Sequence, residues 1–224
     1  MPSFKLDSEV QRLIVKACLE AGGTTALAPL TERVKGLVRY RAAAALSQNA
    51  KLLEEKGLVE RWTEGRRVFV KLRPQFVEEA RRKLGVEAPT CLVSGYTWNP
   101  ARPDDVEPLR NYVDALEKLR AEGVEVSYVY CFTTPEASKK RAELGVKPDP
   151  DREEQMPFEV YQQSYEELRS RVYAAIDELV YRYRLILDIT PLTKLFSDVL
   201  AEVSERYGLS RIYHFGPRLT WIKR

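Results

Sequence analysis

The sequence predicts an α/β protein in two parts, a small α+β module followed by a three-layer α/β domain with a mostly parallel sheet. Three observations lead there. Over residues 7–73, helical apolar spacing gives way to two short β runs around a Gly-bearing turn. After Pro89, apolar strands alternate with helices, the pattern of a parallel sheet between helix layers. Charge also divides between the parts. The chain of 224 residues carries 36 Lys and Arg against 33 Asp and Glu, a net of +3. Residues 1–88 hold 17 basic and 11 acidic side chains, a net of +6, which leaves −3 for residues 89–224. Such asymmetry is expected of a basic module for a polyanion joined to a module with another task. The expected division is 1–74, a linking helix at 75–88, and 89–224.

The elements follow in order. Asp7 stands where it can cap a helix whose Val10, Leu13, Ile14, Ala17 and Cys18 repeat at helical spacing, and Gly22-Gly23 ends it. A short second helix has Pro29 near its first turn, Leu30 and Val34 inward, and a stop at Gly36. A third runs from about residues 38–41 to Lys56, with Gly57 as its cap. Residues 58–62 and 67–72 read as strands around Thr63-Glu64-Gly65-Arg66, and 75–84 as a basic helix. In the second part, strands are expected at 90–96, 124–133, 183–189 and 211–215, and a short one at 158–162. A final antiparallel strand at 218–223 follows Gly216-Pro217. Helices are expected at 104–122, 135–144, 164–181 (with a Ser164/Glu167 capping box) and 193–207, and a polar connector at 145–157.

Composition removes whole classes. At 44% apolar and 31% charged, the chain can build a core and does not read as disordered. No apolar run nears the roughly 18 residues that span a bilayer, so no membrane partner is expected. The start Met1-Pro2-Ser3-Phe4-Lys5 lacks a secretory apolar stretch, and a cytoplasmic protein is expected. Cys18, Cys91 and Cys131 stand alone in apolar segments and read as small buried hydrophobes; no metal site is expected. The single histidine, His214, reads as a core or hydrogen-bonded residue on a strand. Only nine Asn and Gln beside heavy Lys, Arg and Glu use fits a thermophile.

The third helix separates into two faces. Ala45, Leu46, Leu52 and Leu53 are expected in the core, and Arg41, Ala44, Ser47, Gln48 and Lys51 outside. Small alanines at 42–45 allow close approach to a duplex, Gln48 can read a base edge, and Arg41 can meet base or phosphate. Arg66 and Arg67 at the hairpin tip suit phosphates or the minor groove. Two plainer readings are that these arginines solubilise a hairpin tip, or that the module docks protein. The layout, and the run Leu52-Leu53-Glu54-Glu55-Lys56-Gly57-Leu58-Val59-Glu60-Arg61 with its Gly65-Arg66-Arg67 tip, resembles the winged helix-turn-helix of prokaryotic regulators. That resemblance implies double-stranded DNA as a partner.

In parallel sheets ligands bind at the carboxyl ends of strands. Neither G-x-G-x-x-G nor G-x-x-x-x-G-K-[ST] occurs, which argues against NAD, FAD and a P-loop ATPase. After the first strand comes Ser94-Gly95-Tyr96-Thr97-Trp98-Asn99. After the 183–189 strand comes Thr190-Pro191-Leu192-Thr193-Lys194. Thr190 can cap the next helix, and two hydroxyls and the Lys194 ammonium then converge on a helix N-terminus, which suits a phosphate. The plainer reading is a good helix start beside a solvated lysine; physics alone leaves the two level.

Leu185-Ile186-Leu187-Asp188-Ile189 followed by Thr190-x-x-Thr193-Lys194 is similar to the D-x-T-x-x-T-K signature of CARF domains, the CRISPR-associated Rossmann-fold sensors of cyclic oligoadenylates. Ser94-Gly95-Tyr96-Thr97 and Cys131-Phe132-Thr133-Thr134 look like that family's other strand ends. The resemblance implies a Rossmann-like homodimer, a cyclic oligoadenylate (cyclic tetra-adenylate foremost) as ligand and no cofactor. Lys194 would neutralise phosphate, Thr190 and Thr193 would donate hydrogen bonds, and Asp188 would orient the loop. Trp98 or Tyr96 would stack on adenine, unless they only cover the core edge. The chain departs from the family in carrying Pro191-Leu192 where many members have Gly-Gly, and in placing the DNA-binding part first. Two alternatives stand beside a ligand-responsive regulator. One is a metal-independent ring nuclease using Ser94 and Lys194, the other a dimeric adaptor without a small ligand.

Overall fold

The computed structural model describes residues 4–38, 41–190 and 193–224. It falls into two compact units, residues 1–87 with 180–182, and residues 88–179 with 183–224.

In the first unit, α1 (Glu9–Glu20) buries Val10, Ile14, Val15 and Cys18. Its cap is Ser8, whose hydroxyl accepts the Gln11 N–H at 3.1 Å. The expected cap, Asp7, instead pairs with Lys56, which holds its carboxyl below the usual range. After α1 comes a strand that the sequence did not announce, β1 (Thr24–Ala26). Gly23 before it has φ 103, and a Cβ there would meet the Tyr181 ring at 2.3 Å. A 3-10 turn (Ala28–Leu30), α2 (Thr31–Lys35) and α3 (Ala42–Glu55) follow. Residues 39–40, inside the expected start of the third helix, lie outside the described residues.

Next come β2 (Val59–Glu64), β3 (Arg67–Leu72), a 3-10 turn at Pro74–Phe76 and α4 (Val77–Leu84). The strands form an antiparallel sheet in the order β1-β3-β2, so the expected two-stranded hairpin gains a third strand. Leu46, Ala50 and Leu53 of α3 are buried, whereas Leu52, expected in the core, is 40% exposed. Leu52 follows Lys51 and is seven residues from Ala45, on the flank between the buried row and the outer face.

The second unit holds β4 (Thr90–Gly95), a 3-10 turn (Glu107–Arg110), α5 (Asn111–Ala121), β5 (Tyr128–Thr133) and α6 (Pro135–Glu143). Then come β6 (Arg152–Gln155), α7 (Phe158–Gln163), α8 (Tyr165–Leu179), β7 (Arg184–Asp188), α9 (Lys194–Tyr207), β8 (Ser210–Phe215) and β9 (Arg218–Lys223). Two expectations change. The connector contains β6, and the short strand expected at 158–162 is a helix, whose Val160 and Tyr161 are both buried in succession. The helix expected from residue 104 begins at Asn111 after its 3-10 turn.

The sheet order is β6-β5-β4-β7-β8-β9, parallel throughout except for the β8–β9 hairpin. This is a mostly parallel sheet flanked by helices. From β4 the chain builds outward through β5 and β6 on one side, and through β7, β8 and β9 on the other. The connections leaving β4 and β7 therefore diverge, the switch point above which open α/β sheets form their ligand crevice. Cys91 and Cys131 are buried, and burial pushes the Cys91 thiol up to about 12. Among the described residues no helix is long and apolar enough to cross a membrane.

Candidate functional site

The crevice brings Ser94, Asp188, Thr190 and His214 together at the ends of β4, β7 and β8. Asp188 is fully buried. One carboxylate oxygen accepts the Ser94 hydroxyl at 2.9 Å, with His214 Nε2 3.4 Å away. The other accepts the Thr190 backbone N–H at 3.0 Å and its hydroxyl at 2.7 Å. The Thr190 hydroxyl oxygen in turn accepts the His214 N–H at 2.7 Å. An Asp whose side chain bonds the N–H two residues on forms a local turn in place of strand or helix. Asp188 thus orients the Thr190 loop, and His214, 4% exposed, is part of the same cluster.

This corrects the cap. Thr190 is held by Asp188, so Thr193 caps α9: its oxygen accepts the Phe196 N–H at 3.3 Å while its hydroxyl donates to the Tyr161 carbonyl at 3.3 Å. Both threonine hydroxyl protons are therefore committed inside the chain, to Asp188 and to Tyr161. Neither is left as the free donor to a ligand that the sequence reading expects. Lys194, the first residue of α9, is exposed. Its ammonium and the helix dipole are what this end offers an anion. Pro191 and Leu192 lie outside the described residues.

At the end of β4, Ser94, Gly95 and Tyr96 are all buried. Tyr96 is 0% exposed in a cluster with Tyr112, Val113 and Cys131. Its hydroxyl donates to Glu153 Oε1 at 2.5 Å and accepts Arg141 Nε at 3.2 Å, and the Arg141 guanidinium lies over its ring. No ring face remains for a base, which removes Tyr96 as the stacking residue. Thr133, also fully buried, donates to the Tyr96 carbonyl at 2.9 Å and so ties β5 to the β4 end. Thr97 and Trp98 are half-buried. Trp98 packs on the same cluster with Lys140 Nζ 5.4 Å from its ring centre, while its buried indole N–H has no partner among the described residues.

Sequence reasoning missed the ionic group beneath that end. Glu153 of β6 accepts Tyr96 and Ser138 at 2.5 Å each, and Arg141 bridges it at 3.2 Å to Asp149 at 2.7 Å. Burial alone would raise the Glu153 carboxyl, but the Ser138 and Tyr96 hydroxyls and the Arg141 charge outweigh it and hold it low. A signal is available in the acidic pair Glu153-Glu154 after Pro150, within the expected connector.

In the first unit, Arg41, Ala44, Ser47, Gln48 and Lys51 are all exposed, on or just before α3. Arg41 has φ 53, a left-handed conformation that places a strained residue at the helix entrance. Arg66 and Arg67 are exposed at the β2–β3 turn, where Gly65 has φ 59. Behind the turn Trp62 and Phe69 stack at 5.6 Å across the two strands, stiffening the hairpin. Among the described residues no cluster of His, Cys, Asp and Glu is arranged to hold a metal ion. No protein-family model and no curated protein matches the chain.

Proposed function

We propose that the chain is a ligand-responsive DNA-binding regulator. Its first unit acts as a winged helix-turn-helix, and its second as a CARF-like, Rossmann-fold sensor of a cyclic oligoadenylate that works as a homodimer. The observation that carries the ligand half is the paired arrangement above β4 and β7. A buried carboxylate fixes the Thr190 turn, and an exposed Lys194 begins a 14-residue helix at the carboxyl edge of the sheet. Phosphate is the chemistry such an end attracts. Lys194 supplies charge, Asp188 positions the loop, and Trp98 is the aromatic that remains for a base. Support for the DNA half is the outward row Arg41, Ala44, Ser47, Gln48 and Lys51, with two arginines at the hairpin tip in a unit of net positive charge.

Ser94 is fully buried with its hydroxyl given to Asp188, which weighs against the ring-nuclease alternative. The test is a shift assay on DNA from upstream of the chain's own gene, with and without cyclic tetra-adenylate, followed by separation of the nucleotide products. The expected results are a shift that Arg41→Ala, Gln48→Ala and Arg66→Ala each weaken by about tenfold, and an intact ligand that changes DNA affinity. Unchanged DNA affinity in all three variants sinks the recognition helix. Linear products convert the sensor into an enzyme.

A further inference from the structure

The second unit holds a cleft of about 770 Å³ away from the Asp188–Lys194 end. It lies between α5, the loop from Gly123 to Ser127 that enters β5, and the segment from Lys147 to Asp151 that enters β6. Strands β5 and β6 are parallel, so their starts share the amino edge of the sheet, whereas Asp188 and Lys194 stand at the carboxyl edge. Val113 and Leu116 line the cleft from α5, and Glu117 and Arg120 follow on the same stripe at helical spacing. Val113 and Val129 belong to the core, with Leu116 and Val126 packed half-buried against it, which makes the floor apolar. The walls are fixed. Tyr112 of α5 donates its hydroxyl to the Pro148 carbonyl at 2.6 Å. Asp151 gives its N–H to the Val129 carbonyl at 2.9 Å, and its carboxylate accepts the Val129 N–H at 2.7 Å. Arg141 holds Asp149 at 2.7 Å. A preformed cleft of this size, apolar within and polar at a few points, has the form of a binding site.

The rim chooses the occupant. It carries four carboxylates, Glu117, Glu125, Asp149 and Asp151, against the two cations Arg120 and Lys147. Lys147 pairs with Asp149, while Glu117, Glu125 and Arg120 are exposed and without an ion pair among the described residues. The rim is therefore acidic on balance, which repels nucleic acid and draws cations. Glu117 and Glu125 stand on different elements and border one apolar floor. A small cation would meet the carboxylates and leave that floor in water. A peptide satisfies both: long Lys and Arg side chains reach the rim while an apolar neighbour enters the cleft. We propose that the cleft docks an extended basic segment of a partner protein, one apolar side chain held between Lys or Arg residues. The net −3 of residues 89–224, which an anionic ring does not call for, suits such a partner.

The experiment screens a displayed library of random heptapeptides against the immobilised full chain, then measures the enriched peptides in solution by fluorescence anisotropy. Enriched peptides are expected to carry Lys or Arg on both sides of a Leu, Ile, Val, Met or Phe. Glu117→Lys combined with Glu125→Lys, both exposed, should weaken the best of them about tenfold. Ser127→Trp, at an exposed position on the cleft wall, should weaken it about tenfold or more by filling the cleft. Circular dichroism checks that each variant is folded. No enrichment, or peptides that bind both variants like the wild type, overturns the proposal. So do enriched peptides that are acidic or lack the apolar residue, and displacement by spermine as effective as by unlabelled peptide. Peptide binding is read without nucleotide, so its failure leaves the sensor reading as it stands.

Discussion

The neighbouring strands β4 and β7 both end in hydroxyl-bearing residues, yet the two ends are built in opposite ways. At the β4 end the polar groups of Ser94 and Tyr96, with Thr133 of β5 beside them, turn inward: Ser94 to Asp188, Tyr96 to Glu153 and Arg141, Thr133 to the Tyr96 carbonyl. At the β7 end the same chemistry stops at Thr193, and Lys194 emerges into solvent on a capped helix. Chemistry-bearing residues near a strand end therefore divide into those that hold the crevice together and those that face what enters it. The first set should be read in stability, the second in binding.

The largest effect is expected from Asp188→Ala. It strips partners from three donors, the Ser94 hydroxyl and the two Thr190 groups, in a fully buried place, at a cost of about 3–5 kcal/mol in denaturant unfolding. A loss under about 1 kcal/mol would mean the cluster is not closed in solution. Arg141→Met should cost about 3 kcal/mol, because it leaves Glu153 a largely buried carboxylate without its cation. It should also alter acid stability. The Glu153 carboxyl lies below its ordinary value of 4.5, so its contribution is complete above that pH and lost as pH falls through the lower, folded value. With Arg141 gone, the folded value rises and the melting temperature should fall less steeply between neutral pH and pH 4. Tyr96→Phe should cost about 1–2 kcal/mol, the loss of one buried hydroxyl that both donates and accepts. Lys194→Ala is the smallest, within about 0.5 kcal/mol, since an exposed lysine with no partner among the described residues supports little in the fold.

The contrast also explains what the sequence made legible. The apolar strands β4, β5 and β7 were readable because burial on both sheet faces demands continuous apolar runs, and β9 was readable after Gly216-Pro217 to the residue. β6 was not, because Arg152-Glu153-Glu154-Gln155 is an edge strand whose inward side chain is satisfied by ions and hydroxyls instead of apolar contact. The two readings of Tyr96, base stacking or core edge, are not separable in sequence for the same reason: an aromatic after a strand end says nothing about an arginine 45 residues away that covers it. The capping threonine was ambiguous, since Thr190 and Thr193 both precede the helix. Asp188-x-Thr190, an aspartate two residues before a free N–H, carried the deciding turn. Cys91 and Cys131 were legible as buried hydrophobes, and His214 as a hydrogen-bonded strand residue.

The central claim is that Lys194, at the α9 end, supplies the charge that holds the ligand. Titration calorimetry of the full chain with cyclic tetra-adenylate, wild type beside Lys194→Ala, tests it most directly. The account predicts one ring per two chains, and a loss of about tenfold or more in Lys194→Ala at an unchanged melting temperature. Equal affinity in the two proteins, or no binding of any cyclic oligoadenylate, would contradict it.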